Sequence, residues 1–209
     1  MTVVEKTLRR LRLQILGQRD PLRPRIFGVG LSKTATTTLC DALRVLGFNA
    51  LHYGPVARIE DGAAQLEWPW WLEDVDAMAD LPVAAVYQEL AERFPTSTFI
   101  LTTRNEDAWL SSARKHFNAE AVARTREQSR FAHGLALDRY MYDANVFHED
   151  RFRAAFRRHN NAVRTYFGSD PRFHEMDICA GEGWERLCDI VNRPIPRQPF
   201  PKSNVRADA

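Results

Sequence analysis

The sequence predicts an α/β fold of three layers, with a mostly parallel central sheet flanked by helices. Two apolar runs, at 26–29 and 99–103, lack the polar alternation of a strand that faces water. Such runs are typical of strands buried on both faces, as in a parallel sheet covered by helices. Segments with apolar residues at helical spacing alternate with these runs, and this order of elements is typical of the α/β class.

The remaining elements follow from the same patterns and from residues that stop helices. Strands are predicted at 26–29, 50–52, 99–103 and 172–177. Helices are predicted at 37–46, 83–94, 107–117, 150–167 and 183–191, with a polar helical stretch that reaches about residue 138. Gly47 and Pro95 each end a predicted helix, because glycine suits a left-handed residue and proline cannot continue a helix. Residues 193–209 contain four prolines and are predicted to be extended.

Length and composition favour a single domain over 1–209. The chain has 209 residues, of which 44% are hydrophobic, and this is enough for one well-buried core. The net charge of +2 gives no indication of a nucleic-acid partner. The three cysteines form no CxxC pair and leave one unpaired, so the sequence indicates neither a disulfide framework nor a zinc site.

Residues 1–24 are predicted to form a basic helical extension. Residues 1–25 hold seven basic residues against Glu5 and Asp20, a net charge of +5, and apolar residues recur there at helical spacing. We expect a peripheral helix that docks on the domain, and contact with an anionic membrane surface is the alternative. No apolar run has the length of a membrane span or of an export signal, so the protein is predicted to be cytoplasmic.

A lysine and four threonines lie where the first strand meets the first helix, in the stretch SKTATTT at 32–38. The free N–H groups of a first helical turn, together with the helix dipole, make such a junction an anion site. Lys33 adds a positive charge, and threonine hydroxyls add hydrogen-bond donors. Threonine is a mediocre helix former, so stability alone does not explain the run. The stretch is therefore predicted to bind an oxyanion. The threonines are Thr34, Thr36, Thr37 and Thr38.

The anion is not predicted to be a magnesium-bound nucleoside triphosphate. The Walker pattern GxxxxGK[ST] has a glycine directly before its lysine, whereas this chain has Ser32 there. A magnesium-dependent kinase also uses an acidic residue at the end of a neighbouring strand, and the clearest strand here leads into Arg104. An arginine at the carboxyl end of a strand lies where open α/β sheets bind ligands, and it suits a phosphate. A P-loop small-molecule kinase is the alternative.

Three segments resemble motifs of the sulfotransferase superfamily, whose members use 3′-phosphoadenosine 5′-phosphosulfate (PAPS). FGVGLSKTATTTLCDALRVLGF resembles the loop that holds the 5′-phosphosulfate, and FPTSTFILTTRNEDAWLSSARKHF resembles the segment that holds the 3′-phosphate. In that segment the family has an arginine followed eight residues later by a serine, which is the spacing of Arg104 and Ser112. GEGWERLCDIVNRPIPRQPFPKSN resembles the family's C-terminal segment. The resemblance covers nearly the whole chain and has the character of compact bacterial-type members.

The resemblance implies a P-loop nucleoside-triphosphatase-like fold and an enzyme that moves a sulfuryl group from PAPS to a hydroxyl of a small-molecule, lipid or sugar acceptor. The product of the donor would be adenosine 3′,5′-bisphosphate (PAP). By resemblance, Lys33 contacts the oxygens around the sulfur, and the backbone N–H groups of 34–38 contact the 5′-phosphate. Arg104 and Ser112 contact the 3′-phosphate, with Ser111 as a neighbour. No metal is required, because a lysine can neutralise the leaving phosphate.

One residue departs from the family pattern. Ala35 stands where the family usually has glycine. A left-handed backbone would cost alanine about 1 kcal/mol, so we expect a right-handed backbone at Ala35. Weakened binding of the donor is the alternative, and it gives weight to a third hypothesis, a non-catalytic nucleotide-binding protein of the same fold.

Two residues compete for the role of general base, which an alcohol acceptor needs within hydrogen-bond reach. Asp80, in the stretch ADLPVAA, resembles the position of the catalytic histidine in cytosolic members and is the first candidate. Its alternative role is a helix N-cap before Pro82. His52 ends the second predicted strand at the ligand edge of the sheet, and histidine titrates near neutrality. Its alternative role is a hydrogen bond to the backbone.

Two further segments are candidates for the acceptor side. The stretch WPWW at 68–71 is predicted either to line an acceptor pocket or to pack in the core. Arginines crowd the polar helical stretch and are interpreted as a solvated helix face, with a lid over the site as the alternative. They are Arg124, Arg126, Arg130 and Arg139.

Overall fold

The central layer of the protein is a sheet of five parallel strands. The computed structural model describes residues 23–126 and 132–203. Its strands are β1 (Ile26–Gly28), β2 (Ala50–His52), β3 (Ala57–Glu60), β4 (Ala63–Leu66), β5 (Ala77–Ala79), β6 (Thr98–Thr102) and β7 (Phe173–Met176). Its α-helices are α1 (Thr36–Val45), α2 (Leu81–Ala85), α3 (Tyr87–Arg93), α4 (Glu106–His116), α5 (Ala119–Arg126), α6 (Ala132–Tyr142), α7 (Glu149–Phe167) and α8 (Trp184–Val191). Short 3₁₀ helices cover Trp70–Leu72 and Ile178–Ala180.

The order of the strands places β1 in the middle of the sheet. The order is β2-β5-β1-β6-β7, with Phe27 of β1 opposite Met78 of β5 and Phe99 of β6. Parallel neighbours need crossover connections, and the helices supply them. The strands β3 and β4 form a separate antiparallel hairpin. The loop after β1 therefore lies between the carboxyl ends of β5 and β6.

Alternate residues of the central strands pack on opposite faces of the sheet. Phe27 and Met78 belong to a hydrophobic cluster that includes residues of α3, α4, α6 and α7. Ile26 and Ala77 belong to a second cluster that includes residues of α1 and α8. A parallel sheet covered by helices on both faces is the three-layer arrangement that the sequence predicted, and that prediction is confirmed.

The sequence located most elements but missed one central strand. The four predicted strands occur within a residue or two of their expected ends, and the helix predicted at 83–94 is divided at Val86 into α2 and α3. The missed elements are β5 and the β3–β4 hairpin. β5 has the sequence Ala-Met-Ala, and alanine has a low preference for strands. Because β5 pairs between β1 and β2, this strand decides which residues lie beside the loop after β1.

The two ends of the chain differ in how far the structure describes them. The basic extension predicted at 1–24 lies almost wholly outside the described residues. Between Arg193 and Ser203 the tail forms neither a helix nor a strand and bends at 197–198, and it packs on α8, where Trp184 Nε1 donates to the Gln198 carbonyl at 2.7 Å. That the tail is extended stays a prediction. None of the helices in the described part of the chain combines the length and the apolar composition needed to cross a bilayer. That 1–209 forms a single domain stays a prediction.

Buried His159 joins α7 to the end of β1. Its Nε2 donates to the Val29 carbonyl oxygen over 2.7 Å, and the residue is 7% exposed. Burial lowers the pKa of His159 to about 4, and the hydrogen bond opposes this shift only in part. Protonation of His159 therefore opposes folding, because the unfolded chain takes up this proton at a higher pH than the folded one.

We expect the free energy of unfolding to fall by roughly 3 kcal/mol through His159 alone as the pH falls from 6.5 to 4. The stabilisation is complete above the unfolded pKa and is lost as the pH approaches the folded pKa. Urea unfolding of the wild type and of His159→Gln across this range measures the contribution as a difference in slope. The exposed His148, replaced in His148→Gln, is the control and should leave the slope unchanged. Parallel curves for the wild type and His159→Gln would contradict the expectation.

Candidate active site

The loop between β1 and α1 passes directly over the end of β6. A Cβ on Gly30 would lie 2.5 Å from the Thr102 carbonyl oxygen, so only glycine fits this crossing. Thr34 Oγ1 donates to the Leu31 carbonyl at 2.7 Å and lies 2.6 Å from Thr102 Oγ1. The Thr34 side chain is fully buried. Its hydroxyl therefore shapes the loop, which corrects the prediction that it serves as a donor to the anion.

Helix α1 begins at this loop without a side-chain cap. Ala35 is its N-cap residue, and the first hydrogen bond of the helix runs from the Leu39 N–H to the Ala35 carbonyl at 2.9 Å. The N–H groups of 35–38 precede that bond. At a helix start such groups point outward along the axis, at the positive end of the helix dipole. This is the arrangement with which helices bind phosphate groups.

The backbone at Ala35 is left-handed, so the expectation of a right-handed one is wrong. Ala35 has φ 68° and ψ 28°, and Lys33, two residues earlier, has φ 75°. Two left-handed residues let the chain leave β1 and turn sharply into α1. In this conformation a Cβ crowds the following carbonyl oxygen, at a cost of about 1–2 kcal/mol. Alanine therefore strains the loop at a position where glycine would not.

Arg104 reaches the same loop from the end of β6. Its Nη1 donates to the Lys33 carbonyl at 3.1 Å. Its Nε is buried and has no hydrogen-bond partner among the described residues. An unpaired buried guanidinium N–H is costly, and an anion beside the loop would satisfy it. The predicted companion Ser112 is half-buried on α4 and makes no hydrogen bond to Arg104 in the part of the chain that the structure describes.

The two candidates for the general base, His52 and Asp80, lie against each other. His52 ends β2 and Asp80 follows β5, the neighbouring strand, so both side chains lie at the carboxyl edge of the sheet. His52 Nε2 is 2.8 Å from Asp80 Oδ2. Asp80 Oδ1 accepts hydrogen bonds from the Ser32 hydroxyl at 2.5 Å and from the Leu81 N–H at 2.8 Å. The structure joins two residues that the sequence presented as alternatives.

Asp80 is a buried and firmly held carboxylate. Burial by itself would raise the pKa of Asp80, but the hydrogen bonds from His52, Ser32 and the Leu81 N–H outweigh it and lower that pKa. Its backbone has φ 90° and ψ −177°, a conformation that costs a residue other than glycine about 1–3 kcal/mol. Asp80 also caps α2, as its alternative role predicted. A carboxylate held in this way is better suited to orient His52 than to accept a proton.

His52 also contacts the start of α1. Its Nε2 lies 3.1 Å from Thr37 Oγ1 and 3.3 Å from Thr36 Oγ1. The His52 side chain is 29% exposed and that of Asp80 is 9% exposed, so the histidine is the member of the pair that a substrate can reach. When Nε2 donates its proton to Asp80, Nδ1 is the nitrogen that can accept a proton. His52 therefore lies between the start of α1 and the buried charge of Asp80.

Two polar residues of α6 near this pair were not predicted from the sequence. Asp138 is half-buried, and burial together with the negative charge of Asp80 raises the pKa of Asp138 to about 7. Tyr142 is fully buried, and its hydroxyl has no hydrogen-bond partner among the described residues. A signal for them was present in the sequence: Gly134, Asp138 and Tyr142 are spaced by four residues, which places them on one face of a helix.

Comparison with known proteins agrees with this geometry. A family model described as "Sulfotransferase domain" matches residues 25–209. The chain belongs to the sulfotransferase domain family. It is also 25% identical over 213 residues to Ava biosynthesis cluster protein M of Aspergillus versicolor, a match that covers 85% of this chain and 79% of that relative. The resemblance found in the sequence is confirmed for the family and the fold.

In this sulfotransferase domain the C-terminal tail packs on the first turn of α1. The Ser203 N–H donates to Thr38 Oγ1 at 3.3 Å, and the Ser203 hydroxyl donates to Asp41. The Thr38 hydroxyl also lies 3.5 Å from the Ser203 carbonyl oxygen, and its role as a donor to the anion stays a prediction. Of the four threonine hydroxyls, those of Thr36 and Thr37 lie beside His52 at the start of the helix.

Trp68 lies at the opposite edge of the sheet from this site. Its ring centroid is 4.6 Å from that of Phe94, and the guanidinium of Arg25, the residue before β1, lies over the same ring at 5.2 Å. Its Nε1 donates to Glu73 at 3.2 Å. The prediction that Trp68 lines an acceptor pocket is therefore wrong, and it has the packing role given as the alternative. An exposed aromatic residue at the active edge is Tyr53, which directly follows His52 and is 41% exposed.

The other predicted features near the site are described only in part. Arg139 is exposed on α6, in agreement with a solvated helix face. The side chains of Arg124 and Arg126 and the whole of Arg130 lie outside the described residues. Within the described ranges, no group of three or more His, Cys, Asp or Glu side chains is arranged to hold a metal ion.

Replacement of Ala35 by glycine tests the strain in the loop. We expect Ala35→Gly to raise the free energy of unfolding by roughly 0.5–1 kcal/mol, because the relief of the left-handed alanine exceeds the added freedom of the unfolded chain. The matched control is Ala108→Gly, at an exposed position in the right-handed first turn of α4, which should lower stability by a similar amount. Thermal and urea unfolding measure both, and a loss of stability in Ala35→Gly would contradict the strain.

Proposed function

We propose that the protein transfers a sulfuryl group from PAPS to a hydroxyl of a small-molecule, lipid or sugar acceptor. Membership of the family supports sulfotransfer as the type of activity. One observation carries the finer proposal: the uncapped start of α1 follows Lys33, whose carbonyl Arg104 contacts, and it lies beside the His52–Asp80 pair. The helix start suits an anionic donor, and the pair suits an acceptor that must lose a proton.

The loop offers groups for both anionic ends of PAPS. The N–H groups at the start of α1, together with the hydroxyls of Thr36 and Thr37, would hold the 5′-phosphosulfate. Arg104, whose buried Nε has no partner among the described residues, would hold the 3′-phosphate with a charge-assisted hydrogen bond. Ser112 stays its proposed companion. Bound PAPS supplies an activated sulfuryl group, and PAP is the product that leaves.

The His52–Asp80 pair would remove the proton of the acceptor hydroxyl. Asp80 accepts the Nε2–H of His52 and holds the ring in one orientation, which leaves Nδ1 to take the proton as the acceptor oxygen bonds to sulfur. Lys33 would neutralise the electron pair left on the phosphate oxygen when its bond to sulfur breaks. The buried charge of Asp80 then stabilises the imidazolium. His52 is therefore the proposed base and Asp80 its positioning residue, the reverse of their order in the sequence analysis.

A P-loop kinase is the second candidate, and one observation favours it. Asp80 follows β5 next to β1, the place where such enzymes hold the acidic residue that binds magnesium. Here, however, both carboxylate oxygens of Asp80 accept hydrogen bonds from the protein. Ser32 also stands where a Walker loop has its second glycine. These two features favour sulfotransfer over phosphoryl transfer.

A non-catalytic nucleotide-binding protein of the same fold is the third candidate. The strained backbone at Ala35 favours this candidate. Strain in the loop weakens the binding of any ligand that would distort the loop further. This hypothesis and the first predict different results with PAPS. If the protein is non-catalytic, PAP binds, but no PAP is released from PAPS with either water or an added alcohol as the acceptor.

Calorimetric titration tests the class of donor. We expect PAP to bind with micromolar affinity and at least about tenfold more tightly than adenosine 5′-monophosphate, because Arg104 pairs with the 3′-phosphate. Arg104→Ala should abolish this preference, whereas Arg139→Ala, a change at an exposed arginine of α6, should leave it intact. Tighter binding of Mg-ATP than of PAP would overturn the proposal in favour of the kinase.

The pH dependence of turnover tests the base. We expect His52→Gln to lower kcat for PAP release from PAPS by at least about a hundredfold and to remove the rise of the rate with pH. Affinity for PAP should change little. Asp80→Asn should also lower kcat, because the imidazolium loses its negative partner, and His148→Gln is the control. If the pH profile of His52→Gln matches that of the wild type, the assignment of the base is wrong.

A further inference from the structure

A second acid near the His52–Asp80 pair, Asp138, has no partner in the part of the chain that the structure describes. Asp138 makes no hydrogen bond or ion pair with any residue in the described ranges, whereas Asp80 is held by three. Burial and the charge of Asp80 both disfavour a negative charge on Asp138, and they raise its pKa to about 7. The half-buried carboxyl group of Asp138 thus lies near the His52–Asp80 pair, and no described residue offsets its charge with a positive charge or a hydrogen bond.

Helix α6 brings Asp138 to the site from the side away from the anion-binding helix. Residues of α6 and of α1 belong to the clusters on opposite faces of the sheet. α6 packs against β3, where His133 Nε2 donates to the Ala57 carbonyl at 2.5 Å. A Cβ on Gly134 would lie 2.8 Å from the Tyr53 hydroxyl, and Tyr53 directly follows His52. Asp138 lies one helical turn beyond Gly134 on the same face, so it faces the acceptor side of the pair.

Tyr142 supplies a second unsatisfied polar group on this face of α6. Its side chain is fully buried, and its hydroxyl makes no hydrogen bond of normal geometry to any described residue. The charges of Asp138 and Asp80 both act on that hydroxyl, and Ser32 lies close enough to interact with it only through a poorly aligned hydrogen bond. Buried polar groups are normally paired, so a hydroxyl and a carboxyl on one face of α6 that lack a well-aligned partner among the described residues leave hydrogen-bonding capacity for a ligand.

The distribution of charge indicates what kind of ligand would fill that capacity. Lys33 and Arg104 lie on the donor side, at the loop and at the end of β6, and His52 is paired with Asp80. Among the described residues no cation pairs with Asp138. A bound anionic donor would add to the negative potential around Asp138. It would therefore make the binding of a positively charged group there still more favourable.

We propose that Asp138 and Tyr142 form a subsite for a protonated amine, so that the acceptor is an alcohol or phenol that also carries an amino group. This inference rests on the proposed sulfotransferase function. An ammonium group donates three hydrogen bonds, and the Asp138 carboxylate and the Tyr142 oxygen can accept two of them. Its charge also offsets the repulsion between Asp138 and Asp80. A neutral alcohol of the same shape provides neither effect.

Two matched pairs of acceptors test the subsite. They are 4-(2-aminoethyl)phenol with 4-ethylphenol, and 5-aminopentan-1-ol with pentan-1-ol, each measured by PAP release from PAPS. In the wild type, the amine of at least one pair should have a kcat/KM about tenfold or more above its neutral partner, chiefly through a lower KM. Asp138→Asn should remove this preference and leave the neutral partner unchanged. The control is Asp143→Asn, the same change at an exposed acid at the end of α6, which should keep the preference.

Other results would overturn the inference. Equal kcat/KM within both pairs for the wild type would do so. A loss of activity toward both acceptors of a pair in Asp138→Asn would also overturn it. That result would make Asp138 a proton acceptor or a structural residue. Tyr142→Phe should weaken only the amines, by a few-fold, in protein whose thermal unfolding shows it to be folded.

Binding measurements separate this inference from the proposed function. Calorimetric titration with each amine is done on PAP-saturated protein and on nucleotide-free protein, so that no turnover is needed. Amine binding that Asp138→Asn weakens supports the subsite even if PAP does not bind, a result that would overturn only the sulfotransferase proposal. If neither amine binds to either form, or if Asp138→Asn leaves binding unchanged, the subsite is wrong.

Discussion

The buried carboxylate of Asp80 holds the active edge of the sheet together. It accepts hydrogen bonds from His52 at the end of β2, from Ser32 in the loop after β1 and from the Leu81 N–H at the start of α2. Three segments that are distant in the chain are thereby fixed around one charge. In a low-dielectric interior such bonds are strong, and the loss of any partner is costly. The left-handed backbone of Asp80 persists because these contacts over-determine its position.

The loop between β1 and α1 is supported through its backbone carbonyls. Trp109 Nε1 donates to the Ser32 carbonyl at 2.9 Å, and Arg104 donates to the Lys33 carbonyl at 3.1 Å. Buried carbonyl groups need such partners, and here the partners come from α4 and from the end of β6. The loop is therefore ordered before any ligand arrives. A site ordered in advance loses little conformational freedom on binding and can stabilise the charge that develops during a reaction.

The two faces of the sheet contribute different halves of the site. α1, on one face, supplies the helix start beside Lys33, and α6, on the other, supplies Asp138 and Tyr142. These groups converge because all carboxyl ends of a parallel sheet meet at one edge. Positive and hydrogen-bond-donating groups thus lie on one side of His52 and acidic groups on the other. This separation is in agreement with a reaction between an anionic donor and an acceptor that gives up a proton.

The sequence by itself determined the features that depend on near neighbours in the chain. The junction at 32–38 and most helices and strands follow from local chemistry, and Arg104 follows from the rule that strand ends meet at one edge. Only the tertiary structure decided that His52 and Asp80 form a pair, because their contact depends on β5 pairing between β1 and β2, and the Ala-Met-Ala sequence of β5 carries no strand signal. It alone decided the handedness of Ala35 and the partners of the threonine hydroxyls. Hydrogen-bond partners and burial are set by the order of strands and the packing of distant helices, and local preference does not encode either.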